Sequence, residues 1–130
     1  MAPTGVSRRE ARRAAVFVLY QWDVTGRPLG SLYEGEVDEY TQRLAQAVAE
    51  HAPELDARIT EASEDWTADR LGAVERNVLR VALEELDEGE VPVEVVLDEA
   101  VGLAKRYASE DAARLVNGIL GRIVREEGTD

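Results

Sequence analysis

The stretch VERNVLRVALEEL, Val74 to Leu86, followed by EVPVEVVLDEAVGLAKRY, Glu90 to Tyr107, decides the fold class of this chain. In the first segment Val74, Val78, Val81, Ala82 and Leu86, preceded by Leu71, return every three or four residues, which is the spacing of one buried helix face. In the second, Pro92 suits a first turn, and Val93, Leu97, Ala100, Ala104 and Tyr107 form the next seam. Period-two alternation is nearly absent here and elsewhere, so the chain is expected to be all-α.

Working outward, Ser109 is placed to cap a last helix whose stripe is Ala113, Val116, Leu120 and Ile123, beside Ala112 and Ile119. Gly118 and Gly121 interrupt that helix at about 1 kcal/mol each relative to alanine, which predicts close packing of another helix against this face, or a ligand approaching the glycine. Asn117 beside them needs a backbone partner if it is buried. Upstream, Pro53 is expected to separate a helix over 37–51, carrying Tyr40, Leu44, Ala47 and Val48, from a helix that starts near Glu54 and buries Leu55, Ile59 and Ala62. The first helix should run from about Arg8 to Val24 and bury Ala11, Ala15, Val18 and Trp22, with Ala14 and Leu19 alongside. Between them TGRPLGSLYEGE, Thr25 to Glu36, breaks the periodicity. Six short helices predict two packed three-helix bundles, divided near Trp66 into residues 1–66 and 67–130, with frayed ends at about 1–6 and 126–130.

The chain has 130 residues, no cysteine and a formal net charge of −12. That length buries enough surface to fold without disulfides, and the missing thiols suit a cytoplasmic protein. The longest apolar run, Ala14 to Tyr20, is far short of the ~20 residues that span a bilayer, and nothing resembles a signal peptide. The charge is uneven. Residues 1–22 hold four arginines and Glu10, a net of +3, whereas residues 23–130 hold 11 cations against 26 anions, a net of −15. A polyanion would be repelled almost everywhere except at the amino-terminal face.

There Ser7 and Glu10 have capping-box spacing, which sets Arg8 and Arg9 in a first turn where the helix dipole opposes them. Arg8 with Arg12 and Arg9 with Arg13 are like-charge pairs four apart, each costing another ~0.2 to 0.5 kcal/mol. The four arginines fan over an arc of about 140° that includes Tyr20, so an exposed face of cations with one aromatic is expected. Guanidinium groups holding phosphates and a ring offering a stacking surface suit single-stranded RNA. Pairing of these arginines with acids of an acidic partner, or of this chain itself, is the competing expectation.

Signatures of catalysis are missing: no phosphate-cradling glycine loop, GxSxG elbow, HExxH or calcium-loop spacing occurs. No cofactor or metal is expected, and with the sequence ending at residue 130 no catalytic domain is expected either. His51 reads as a surface or C-terminal capping residue, and Glu84, Glu85, Asp87, Glu88 and Glu90 read as a solvated acidic face.

VERNVLRVALEEL, EVPVEVVLDEAVGLAKRY and SEDAARLVNGILGRI (Ser109 to Ile123), with the arginine-led opening and LYQW, together resemble the NusB family of transcription antitermination factors. The resemblance covers roughly residues 7–125 and leaves out the loop from Thr25 to Glu36. It implies the NusB-like fold of two three-helix subdomains and a non-enzymatic protein that pairs with NusE, a ribosomal protein of the small subunit. It further implies binding to boxA RNA of ribosomal RNA leaders and delivery to RNA polymerase with other Nus factors. Arg8, Arg9 and Arg12 match the family's arginine-rich RNA-binding segment, and Arg13 is an extra cation. Tyr20 matches an RNA-edge tyrosine, and Glu75 and Asp111 match carboxylates that can accept from a base amino group. The chain departs from the family at Leu115, where a phenylalanine is frequent, and at Glu84, where a tyrosine is usual; both remove aromatic surface. The acidic carboxy-terminal half suits steering of a basic ribosomal partner. Two alternatives stay open: an RNA-binding module like those ahead of ribosomal RNA cytosine methyltransferases, and a helical protein-binding adaptor or homodimer without direct RNA recognition.

Overall fold

The computed structural model describes residues 7–127. Among these there are five α-helices and no strand: α1 (Arg8–Thr25), α2 (Glu39–Ala62), α3 (Ala73–Glu88), α4 (Val93–Tyr107) and α5 (Glu110–Glu127). Their ends follow from local chemistry. The Ser7 hydroxyl accepts from the Glu10 amide at 3.1 Å while the Glu10 carboxylate accepts from the Ser7 amide at 3.1 Å, closing the expected capping box. Gly26 and Gly89 end α1 and α3 in the left-handed region, at φ 73° and 72°. Ser109 caps α5 through the Ala112 amide at 2.9 Å. Pro92 lies one residue before α4, as its N-cap. Of the ends expected to fray, Glu126 and Glu127 are helical, and residues 1–6 and 128–130 lie outside the described residues.

The break expected at Pro53 does not occur, and α2 continues through it to Ala62. A proline inside a helix forfeits a hydrogen bond and costs about 3 kcal/mol. Here Val48, Ala52, Leu55 and Ile59 lie on one buried face on both sides of the exposed Pro53, so burial along the whole face outweighs that loss. Two further expectations fail for positional reasons. Val93, in the first turn of α4, is exposed, and Val96 is buried with Ala100 and Ala104 in its place. Gly118 faces open space, since an added Cβ meets nothing within 4 Å, and at Gly121 it meets only the Arg125 side chain at 3.4 Å. No helix packs closely against those glycines, and Asn117 is exposed beside them.

Helix directions follow from the pairs that join them. Arg12 meets Glu85, and Asp23 meets Arg76, so α1 and α3 run antiparallel. Arg9 meets Glu99 and Phe17 meets Tyr107, an advance of eight residues on each helix, so α1 and α4 run parallel. One hydrophobic core passes through all five helices, with Leu19, Leu44, Ile59, Leu79, Leu83, Val96 and Leu120 among its members. The loop after α1 is tied down as well: Leu29, in a short 3-10 turn over Leu29–Ser31, and Leu32 are buried.

Candidate nucleic-acid interface

The burial of α1 decides the interface. Its buried residues are Ala11, Arg12, Ala15, Val16 and Leu19, whereas Val18 and Trp22 are half-buried and Ala14 is exposed. At ~100° per residue the inward arc is therefore turned toward Arg12 and Val16, away from the stripe expected from Ala11, Ala15, Val18 and Trp22. Arg9, Arg13, Phe17, Tyr20 and Val24 remain together on an outward arc of about 80°.

The expectation of four exposed arginines consequently fails at Arg12. Its side chain is 5 % exposed and forks onto Glu85, itself 0 % exposed, through Nε at 2.6 Å and Nη2 at 3.0 Å. The Tyr40 hydroxyl donates to the same carboxylate. Burial acts against the Arg12 charge, but the bonds to Glu85 outweigh it and raise its pKa. Burial, followed by the bond to Glu85, pushes the Tyr40 phenol well above its ordinary range. The reason for the inward turn is pairing: Glu85 lies on the buried side of α3 and needs a cation there.

The other three arginines face outward. Arg8 lies over the Tyr40 ring, 4.2 Å from its centroid. Arg9, its side chain 78 % exposed, donates from Nε to both Glu99 oxygens at 3.1 Å and from Nη2 at 2.8 Å. That bond raises the Arg9 pKa. Arg13 is half-buried and has no carboxylate within ion-pair distance among the described residues. Tyr20 is exposed eleven residues beyond Arg9, about 16 Å along the helix axis.

Glu75 and Asp111 lie in the first turns of α3 and α5. The parallel course of α4 carries the chain past Tyr107, which packs edge-on to Phe17 with ring centroids 4.8 Å apart, into the first turn of α5 where Asp111 is exposed. Asp111 pairs with Arg114. Glu75 lies in the first turn of α3, near the carboxyl end of α1, and folds back over Gly72, where an added Cβ would sit 2.6 Å from its Oε1. Neither carboxylate is within ion-pair distance of Arg8, Arg9 or Arg13.

Several functional candidates escaped the sequence reading. Arg106 and Tyr107 line a groove with Arg9 and Arg13, and Phe17 joins Tyr20 and Val24 as exposed apolar surface. The available signal was weak: a basic pair in the last turn of α4 and a phenylalanine four residues after Arg13. The acidic run is a solvated face only in part, at the exposed Asp87 and Glu90. Glu84 and Glu85 are buried, Glu88 pairs with Arg43 at 2.9 Å and Asp87 with Arg58 at 2.8 Å. His51, within the long α2 and not at its end, places Nδ1 2.9 Å from Glu84 Oε1, and that bond raises its pKa. No group of three or more side chains suited to hold a metal occurs among the described residues, and none of their helices is long and apolar enough to cross a membrane.

Residues 9–125 match the family model described as the NusB family. The chain is 43 % identical over 122 residues to the transcription antitermination protein NusB of Rubrobacter xylanophilus, covering 88 % of each. Its fold is similar to that of T. maritima NusB, with TM-score 0.83 and 34 % identity over 95 % of this chain and 94 % of that one. It is also similar to a chain in the crystal structure of antitermination factors NusB and NusE in complex with dsRNA, with TM-score 0.82 and 34 % identity over 92 % of this chain and 96 % of that one.

Proposed function

The chain belongs to the NusB family, and from that premise we propose that it is a non-enzymatic, RNA-binding transcription antitermination factor of the cytoplasm. It binds boxA RNA of ribosomal RNA leaders together with NusE and joins the antitermination complex on RNA polymerase with other Nus factors. In this reading residues 1–66 form the subdomain that carries the arginines, and residues 67–130 form the second subdomain with the remaining RNA contacts, Glu75 and Asp111.

One observation carries the reading: Arg9, Arg13, Phe17 and Tyr20 share the outward side of α1, so cations and rings are offered together on a chain of net charge −12. Arg8 and Arg9 hold phosphates at the amino end, and Tyr20 supplies a stacking surface worth about 1 to 3 kcal/mol per base. Glu75 and Asp111 accept from base amino groups farther along. Arg12 acts from below, fixing the amino end of α1 on α3 through Glu85.

The alternative, a protein-binding adaptor or homodimer, draws on the exposed apolar side chains of Phe17, Tyr20 and Val24 on that same side. A fluorescence titration of a boxA-like RNA and a scrambled control, with and without NusE, separates the two. Preferential boxA binding that strengthens with NusE and is lost in the Arg9→Ala/Arg13→Ala variant supports the RNA reading. Equal weak binding to both RNAs in both conditions supports the adaptor.

A further inference from the structure

The parallel alignment of α1 and α4 leaves a groove of about 350 Å3 whose walls are Arg9 and Arg13 on one side and Arg106 and Tyr107 on the other, with Asp98 and Glu99 along α4. Resting on the RNA-binding reading above, we propose that this groove is a phosphate subsite for the bound strand and that Arg106 is its cation from the acidic half of the chain.

Three features carry this. First, Arg106 has no carboxylate within ion-pair distance among the described residues, and neither has Arg13 across the groove. Most other arginines on the molecule are already joined to acids, including Arg43, Arg58, Arg76, Arg80 and Arg122. Second, the lining charges, three guanidinium groups against Asp98 and Glu99, leave a local net of +1 on a chain of −12. A polyanion led to the amino-terminal face by the field therefore meets these cations next to the Arg8 and Arg9 turn. Third, the Arg9 fork already grips two carboxylate oxygens of Glu99, the same two-pronged geometry by which a guanidinium holds a phosphate. The Arg9 side chain is exposed, so a phosphate can reach its guanidinium, and the mostly buried Glu99 keeps Arg12 Nη1 at 3.4 Å when Arg9 turns to the strand.

The groove also offers more than charge. The Arg106 guanidinium stands 5.4 Å from the Tyr107 ring centroid, and the ring is held in place by Phe17. Gly102, on the floor, has open space where a side chain would project. A sugar or base next to the bound phosphate therefore meets an aromatic wall and an uncrowded floor.

The test is the salt dependence of boxA-like RNA binding, in the presence of NusE, for the wild-type protein, Arg106→Ala and Arg106→Lys. Each phosphate contact on a single strand contributes about 0.7 to the slope of log K against log salt. Arg106→Ala is expected to reduce the magnitude of the slope by about 0.7 and to weaken binding roughly tenfold, with unchanged circular dichroism. Arg106→Lys keeps the charge and should recover the slope. An unchanged slope and affinity in Arg106→Ala, against a wild-type protein that binds RNA, overturns this subsite and leaves the RNA-binding reading in place. A wild-type protein that binds no RNA overturns both.

Discussion

Replacing Arg12 by alanine should damage the fold before it damages any RNA contact. The substitution leaves Glu85, whose side chain is 0 % exposed, without the guanidinium that donates to it at 2.6 and 3.0 Å. Only the Tyr40 hydroxyl remains as a donor among its described partners. Breaking a buried ion pair from one side typically costs about 3 to 5 kcal/mol, because the remaining charge stays desolvated. At roughly 3 to 5 °C per kcal/mol for a domain of this size, the melting temperature should fall by about 9 to 25 °C, read by calorimetry or circular dichroism. Glu85→Gln removes the stranded charge while keeping an acceptor for Tyr40. The Arg12→Ala/Glu85→Gln double variant should therefore be more stable than Arg12→Ala alone, and it should regain most of the RNA affinity if Arg12 acts as an anchor. A loss below about 1 kcal/mol in Arg12→Ala, or a Glu85→Gln change that adds to the damage, would refute the reasoning. RNA affinity that stays lost in a stable double variant would instead make Arg12 a direct contact.

At the other end of α1, Asp23 accepts from Arg76 at 2.7 Å, Asn77 at 2.9 Å and Arg80 at 3.2 Å. Burial alone would raise its pKa, but these donors outweigh it and hold the carboxyl below its ordinary value of 3.8. Its stabilising contribution is therefore complete above that value and disappears as pH falls through the lower folded value. Asp23→Asn should be less stable than wild type by about 1.5 to 3 kcal/mol at neutral pH, in urea melts that converge with wild type in acid; a gap that persists in acid would contradict this. His51 is the one histidine, so its ring signals in NMR report a single titration. The bond to Glu84 should place the midpoint above the ordinary value of 6.5, and Glu84→Gln should lower it. The stability this pair adds is complete below 6.5 and is lost as pH rises through the folded value; a midpoint at or below 6.5 would contradict the contact.

Much of the secondary structure was legible along the chain because it is written in short-range chemistry. Ser7 with Glu10 and Ser109 before Ala112 each satisfy helix-end groups within a few residues, and the buried faces of α3 and α5 keep helical spacing. The same short range explains the error at Pro53. A proline's local cost is visible in sequence, while the continuous packing of Val48, Ala52, Leu55 and Ile59 that offsets it depends on neighbours far away in the chain.

For the interface, the sequence by itself determined that α1 begins in a run of arginines, that it is helical, and that the rest of the chain is strongly acidic. It also carried the resemblance to the NusB family. Only the tertiary structure decided which arginines are free. Hydropathy places a charged residue such as Arg12 outside, but Glu85, 73 residues away, is buried on α3 and draws it inward. Likewise Arg106 belongs to the acidic half by sequence and to the arginine groove by the parallel packing of α4 on α1. Charge pairing depends on distance in space, and a linear pattern of residues records only distance along the chain.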